Sequence, residues 1–182
     1  MSSRWLVARG AAWVRRRRRA HRPFAQPLAA DLRRAFEPYF EPATLEATRV
    51  HRVPHIDPPW PVAVAGRLRP LSLDFGHVWG ITYIDTVVMA TDVLDETRLE
   101  ECLFHECVHV AQYRLHGLNG FIERYVREWA EAGWRYRGID LEREAYSLQR
   151  RYAAGGVFRV ADELVPQPQP CDGPTAEPPQ YG

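Results

Sequence analysis

The order of apolar and polar positions divides the chain into helical segments on either side of one β-rich block. Residues 27–40 have apolar side chains at helical spacing, which predicts a helix there. Residues 77–90 are instead rich in β-branched and aromatic side chains, which favour strands. We expect this block to form two strands or one bent strand, with the break at Gly80 or Asp85.

The most clearly delimited helix follows the β-rich block. Thr97 and Glu100 have the spacing of a capping box, in which a hydroxyl and a carboxylate satisfy free N–H groups at a helix start. Gly117 is a typical helix stop. The sequence therefore predicts a helix from Arg98 to His116, about 28 Å long.

Weaker patterns fill the rest of the chain. Apolar periodicity predicts two more helices, at residues 120–133 and 140–152. Short β-prone segments predict strands at residues 62–68, inside a Pro-rich passage, and at residues 157–160.

The length of 182 residues favours one folded domain with flanking segments. We expect residues 1–26 to form a basic, mobile arm and residues 27–161 to form the single domain. Residues 162–182 contain six prolines, from Pro166 to Pro179, and are expected to form a disordered tail.

Charge is unevenly distributed along the chain. Residues 1–34 carry ten arginines and one acid, whereas the remainder carries 14 arginines and 22 acids. The five consecutive arginines Arg15–Arg19 are expected to be solvated and mobile, because like charges repel. The alternative is that they dock to an anionic membrane surface or to nucleic acid.

Several patterns bear on the compartment. No apolar stretch approaches the roughly 18 residues that a membrane-spanning helix needs. The first apolar segment precedes the arginines, which is the reverse of signal-peptide polarity. The three cysteines, Cys102, Cys107 and Cys171, cannot form a disulfide framework. A reducing, cytoplasmic location is therefore expected, without a transmembrane segment.

The predicted helix at residues 98–116 contains an HExxH motif, with histidines at 105 and 109 and a glutamate at 106. Histidines at i and i+4 project from one face of a helix, so that both imidazoles can reach a single Zn²⁺. Glu106 leans toward the same ion, where it can act as general base on a water molecule.

Helical geometry separates the motif from the core. His105, His109 and Gln112 fall within about 60° of one another around the helix axis. Cys107 and the apolar residues of the helix fall on the opposite arc, so the histidines are expected to face a cleft. His116 shares their face but lies about 10 Å beyond His109, too far to share the ion.

The string from His105 to Tyr113, HECVHVAQY, preceded by the β-rich block, resembles the short zincin-type metallopeptidases called minigluzincins and related HExxH domains of bacterial proteins. The resemblance spans residues 75–152. It implies a Zn²⁺ cofactor and a third zinc ligand from a glutamate on a downstream helix. Residues 141–146, LEREAY, occupy the corresponding place.

Two glutamates of this segment are candidates for the third ligand. Glu142 and Glu144 lie about 90° and 70° to either side of the apolar stripe of their helix, so periodicity does not separate them. The resemblance selects Glu144, because the ligand glutamate of gluzincins is commonly followed by alanine. Tyr113 and Tyr146 are candidates for the donor that stabilises an oxyanion.

Together these features predict an α+β fold in which a small antiparallel sheet packs beside the HExxH helix and a downstream helix supplies the glutamate. The expected function is a zinc metallopeptidase that hydrolyses peptide or protein substrates by Glu106-assisted attack of zinc-bound water. A function of another class stays open, namely a catalytically silent zinc-binding module whose basic arm docks to an anionic partner.

Overall fold

The computed structural model describes residues 3–56, 79–91, 96–133 and 135–164. The helices in these ranges are α1 (Ser3–His21), α2 (Ala30–Phe36), α3 (Pro42–Ala47), α4 (Glu96–Glu131), α5 (Asp140–Ala153) and α6 (Val160–Glu163). The strands are β1 (Gln26–Pro27), β2 (Arg49–Val53), β3 (Gly80–Tyr83) and β4 (Thr86–Ala90). The predicted α+β class is confirmed. The strand predicted at residues 62–68 and the tail from residue 165 onward lie outside the described residues.

The four strands form one sheet in the order β1-β2-β4-β3. β3 and β4 pair antiparallel, as predicted, but β2 pairs parallel to β4, with Arg49 opposite Thr86 and Val53 opposite Ala90. The sheet is therefore mixed rather than antiparallel. A long connection between β2 and β3 permits the parallel pairing, which a short hairpin cannot make.

The predicted break of the β-rich block falls at Asp85, in a two-residue turn between β3 and β4. Ile84 adopts a φ of 67°, which is strained for a β-branched residue. Arg18 of α1 donates two hydrogen bonds to the carboxylate of Asp85, at 2.6 and 2.7 Å. This bidentate pair ties α1 to the strained turn.

Strand β4 is buried on both faces, so the core has two parts. Val87 and Met89 pack in a cluster with Phe104 of α4. Val88, on the opposite face, belongs to a second cluster with Tyr83 and with Val14 of α1. The alternation of side chains along a strand therefore places Phe104 of α4 on one face of the sheet and Val14 of α1 on the other.

Residues 3–21 form a helix that packs against the rest of the protein, where a mobile arm over residues 1–26 was expected. Ala11 and Val14 are buried, and the ring of Trp13 meets that of Tyr83 edge-on at 5.4 Å. Helical periodicity separates these apolar residues from the arginines, and Arg18 is neutralised by Asp85. The charge run thus belongs largely to the exposed side of a packed helix.

Helix α4 covers two predicted helices, because the chain is helical from Glu96 to Glu131 except at Gly117. Gly117 has φ 66° and ψ 168°, a conformation that residues with a Cβ rarely adopt. The predicted helix at residues 140–152 is confirmed as α5, whereas the one at residues 27–40 shortens to α2.

The C-terminal part of the described chain extends beyond the predicted domain end at residue 161. Residues 157–159 form no strand, and Val160 begins α6. Leu164 is buried in the same cluster as Phe104. No helix among the described residues combines the length and apolar character needed to cross a membrane.

Candidate metal centre

Helix α4 brings the histidines of the HExxH motif together. The Nε2 atoms of His105 and His109 lie 3.1 Å apart. Their exposed fractions are 5% and 6%, because α5 packs across this side of α4. These side chains therefore lie between α4 and α5, where a cleft was expected, and the predicted pairing of the two imidazoles is correct.

The carboxylate that reaches both histidines belongs to Glu142. Its Oε2 atom lies 3.4 Å from Nε2 of His105 and 3.4 Å from Nε2 of His109. The selection of Glu144 as third ligand is wrong, because that carboxylate accepts hydrogen bonds from Arg124 and Gln112 instead. Glu144 thus has partners of its own on one flank of α5, while Glu142 faces the histidines from the other.

Arg124 and Glu128, in the second half of α4, fix the start of α5. Glu128 Oε2 accepts a 3.0 Å hydrogen bond from the backbone N–H of Leu141, which satisfies a free donor at the helix N-terminus. Arg124 donates to Glu128 at 2.5 Å and to Glu144 at 2.6 Å. Because these charge-assisted bonds join the two helices, they also set the position of Glu142.

The three ligand atoms have the dimensions of a metal site. The sides of the triangle formed by the two Nε2 atoms and Glu142 Oε2 are 3.1, 3.4 and 3.4 Å. A tetrahedral Zn²⁺ with bonds of 2.0–2.1 Å separates its donor atoms by about 3.3–3.4 Å. Glu142 Oε2 is buried and accepts no hydrogen bond from the described residues. The group therefore fits a divalent cation, and its two imidazoles and one carboxylate are a typical donor set for zinc.

The charges of the three side chains in the group act strongly on one another. Burial raises the pKa of Glu142, but the neighbouring charges of His109 and His105 outweigh it and bring the pKa well below its usual range. Burial lowers the pKa of His109, yet the neighbouring charge of Glu142 outweighs it and raises the pKa to about 9. The two histidines therefore favour the charged form of this carboxylate.

Glu106 is held on the sheet side of the site. The hydroxyl of Thr82 on β3 donates to Glu106 Oε2 at 2.7 Å. A Cβ built at Gly80, also on β3, would lie 2.6 Å from Glu106 Oε1. Glycine at this position therefore leaves the space that the carboxylate occupies. Burial raises the pKa of Glu106, against the lowering effect of His109, His105 and the Thr82 hydrogen bond.

The two predicted oxyanion donors differ in their surroundings. The ring of Tyr146 lies 4.4 Å from the ring of His105 and its side chain is 42% exposed. Tyr113 is buried and stacks on Phe121 with ring centroids 3.7 Å apart. Tyr146 is therefore the one that borders both a metal-ligand candidate and solvent.

Two tyrosines that the sequence did not indicate also belong to the site. Burial and the nearby negative charge of Glu142 raise the pKa values of Tyr125 and Tyr136, which places both side chains close to this carboxylate. No spacing rule in the sequence identifies these tyrosines. Arg124 and Glu128, in contrast, could have been identified as an oppositely charged i,i+4 pair.

The predictions for the cysteines and for His116 agree with the structure. Cys107 is buried in the core, and burial raises the pKa of its thiol. Cys102 and Cys107 are both free. His116 lies 3.1 Å from Arg124 and takes no part in the His–His–Glu group.

Fold and site together define a class: an α+β protein in which an HExxH helix and a downstream glutamate helix form a buried His–His–Glu group. A scan against protein-family models finds no match, and neither does a search of curated proteins or of solved structures.

Proposed function

We propose that the protein is a zinc-dependent hydrolase that cleaves peptide bonds. The observation that carries the proposal is the buried triangle of His105 Nε2, His109 Nε2 and Glu142 Oε2, with sides of 3.1–3.4 Å. Three protein ligands leave one position open, as catalytic zinc requires.

A divalent cation bound by His105, His109 and Glu142 would supply positive charge to polarise a substrate carbonyl and to acidify a water molecule. Glu106 supplies the base. The hydroxyl of Thr82 donates a hydrogen bond to Oε2 of Glu106, so Oε1 remains available. We propose that Oε1 takes the proton of the attacking water and returns it to the leaving amine. A buried carboxylate with a raised pKa suits both steps, because it exchanges protons closer to neutral pH. Tyr146, beside His105, is the proposed donor to the oxyanion.

An extended peptide is the proposed substrate. β3 forms the edge of the sheet and pairs only with β4 among the described strands. Its residue Thr82 contacts Glu106, so a peptide added alongside β3 would lie next to the base. Strand addition supplies backbone hydrogen bonds to such a substrate without requiring a particular side chain.

The test compares three proteins for Zn²⁺ content and for hydrolysis of a denatured protein substrate. We expect the wild type to bind one Zn²⁺ and to lose hydrolysis on chelation. Glu106→Gln is expected to retain zinc and to lose hydrolysis, whereas His105→Ala loses both. Full hydrolysis by Glu106→Gln would overturn the role of the base, and a wild type without zinc would overturn the site.

The exposed face of α1 favours a second candidate, a zinc-binding module that docks to an anionic membrane surface and has no hydrolytic activity. Arg15, Arg16 and Arg19 are exposed, and no acidic side chain in the described ranges pairs with them. Trp5 is 45% exposed on the same side of the helix, and tryptophan is enriched at membrane interfaces. The free thiols of Cys102 and Cys107 are consistent with the cytoplasmic leaflet, which carries the anionic lipids.

Vesicles with and without phosphatidylserine test this candidate. Replacing Arg15, Arg16 and Arg19 with glutamate is expected to abolish binding to the anionic vesicles, whereas the same change at the exposed Arg127, Arg135 and Arg150 is expected to preserve it. Binding to a homopolymeric RNA but not to vesicles would assign the face to nucleic acid. Hydrolysis by the wild type would reject the silent module.

A further inference from the structure

Gln112 is fully buried one turn beyond His109 and has three polar contacts. Its Oε1 lies 2.8 Å from Nδ1 of His109. Its Nε2 donates to the backbone carbonyl of Leu141 and to Oε2 of Glu144, both at 3.0 Å. The side chain therefore links a candidate metal ligand to the helix that carries Glu142.

The identity of these partners fixes the orientation of the amide. A carbonyl oxygen and a carboxylate oxygen can only accept, so the NH₂ group of Gln112 must face Leu141 and Glu144. The amide oxygen then faces His109, and it can only accept as well. Nδ1 of His109 must therefore carry a proton, which leaves Nε2 as the nitrogen that can bind a cation.

Glu144 keeps the amide in this orientation because it is itself held in place. Arg124 is 6% exposed and donates to Glu144 Oε1 at 2.6 Å, while Gln112 donates to the other oxygen. The carboxylate thus remains an acceptor on the side of Gln112. This chain of contacts runs from Arg124 through Glu144 and Gln112 to His109.

The second histidine lacks such a partner. Nδ1 of His105 is buried and has no hydrogen bond to the described residues. Its ring packs against Tyr146 instead, with centroids 4.4 Å apart. The two candidate ligands are therefore oriented by different means, one by a hydrogen bond and the other by packing.

We propose that Gln112 is a positioning residue that holds His109 in the Nδ1–H form and so presents Nε2 to the metal. This inference rests on the proposed zinc site. Hydrogen bonds from outer residues to metal-binding histidines typically contribute 10–100-fold to metal affinity. Glu144, selected from the sequence as a ligand, becomes the anchor of this positioning residue.

The experiment measures Zn²⁺ affinity by competition with a chromophoric chelator and observes the Nδ1 proton of His109 by NMR in the zinc-loaded protein. Gln112→Met keeps the approximate volume but removes both the acceptor and the donors. We expect its affinity to fall roughly 10–100-fold and the slowly exchanging Nδ1 proton of His109 to disappear. The control Gln149→Met, elsewhere on α5, is expected to change neither.

A second test, in which the residues at positions 112 and 144 are exchanged, applies if Gln112→Met fails to fold. Gln112→Glu alone places two carboxylates together and is expected to bind zinc weakly. Adding Glu144→Gln provides an amide that donates to the new carboxylate at position 112 while its oxygen still accepts from Arg124. The carbonyl oxygen of Leu141 lacks its donor in both variants, so affinity and the His109 proton signal are expected to recover in part in the double variant, relative to Gln112→Glu.

The outcomes separate this inference from the proposed function. A wild type that binds no zinc overturns both. Zinc binding by the wild type, with equal affinity and an unchanged His109 proton in Gln112→Met, overturns the positioning role alone. Failure of the paired exchange to recover any affinity relative to Gln112→Glu also contradicts it.

Discussion

The hydroxyl of Thr82 lies 2.7 Å from Oε2 of Glu106 and 3.0 Å from the backbone carbonyl oxygen of the same residue. The hydroxyl of one side chain therefore links an edge strand to the HExxH helix at two oxygen atoms of Glu106. This contact fixes one oxygen of the proposed base and leaves the other available.

Thr82→Val tests the value of that contact. Valine has nearly the same shape but cannot donate, so the buried carboxylate loses a hydrogen bond worth about 1.5–3 kcal/mol. We expect kcat to fall at least about tenfold, with zinc content unchanged. Steady-state kinetics and metal analysis on the same preparation check this. Unchanged kcat would show that the hydroxyl does not position the base.

Gly80→Ala is predicted to displace the base by steric contact. The new Cβ would lie 2.6–2.8 Å from three atoms of the Glu106 side chain, closer than real Cβ contacts. A displacement of about 1 Å at a catalytic group costs roughly 100-fold in rate. Gly120→Ala is the matched control, because its Cβ would meet only His116 at an ordinary 3.5 Å. Equal activity of the two variants would contradict the prediction.

Exchanging the two glutamates of α5 for glutamine distinguishes a ligand from an anchor. Glu142→Gln removes the anionic oxygen that lies 3.4 Å from both histidines, and we expect zinc affinity to fall by more than about 100-fold. Glu144→Gln keeps an acceptor for Arg124 and is expected to change affinity by at most about tenfold. Isothermal titration with Zn²⁺ measures both. The reverse order of effects would restore Glu144 as the ligand.

Asp85→Asn is predicted to destabilise the fold at neutral pH but not in acid. Burial raises the pKa of Asp85, but the hydrogen bonds and charge of Arg18 lower it by more than burial raises it. The pKa of Asp85 is therefore below its ordinary value. A depressed carboxyl pKa stabilises the folded state above the ordinary value of about 3.9, and this contribution is lost as the pH falls below it.

Urea unfolding of the wild type and Asp85→Asn measures this contribution. Because the pair is partly exposed, we expect a difference of about 1 kcal/mol at pH 7, which shrinks as the pH falls below about 3.9. Asp140→Asn is the control, since its pair with Arg143 is exposed and is expected to contribute less than about 0.5 kcal/mol. If the difference in the free energy of unfolding is the same at pH 7 and below about pH 3.9, the contribution does not come from the charge of Asp85.

Local patterns in the sequence predicted the parts of the site that lie on one helix. The i,i+4 spacing of His105 and His109 is a property of α4 itself, so the pairing of their imidazoles followed directly. Gly117 also marked the break in that helix correctly, because its conformation is a local requirement. Elements whose position depends on sequence neighbours were therefore predictable.

Features that depend on distant partners were not predictable in this way. Glu142 and Glu144 flank the apolar stripe of α5 almost symmetrically, and only the presence of Arg124 beside Glu144 decides between them. The parallel pairing of β2 with β4 likewise depends on chain segments far apart in sequence. For α1, the five adjacent arginines predicted a solvated segment, whereas the apolar residues on the other side of the helix pack against the rest of the protein.

The non-helical residue Gly117 has a consequence for how changes in chain length would act. Each residue inserted into a helix rotates everything after it by about 100°, so an extra residue between Gly120 and Arg124 would turn the guanidinium away from Glu144. One inserted beside Gly117 meets a backbone that already departs from helical geometry there. Insertions and deletions that preserve the His–His–Glu group are therefore expected next to Gly117 rather than within the helical segments on either side of it.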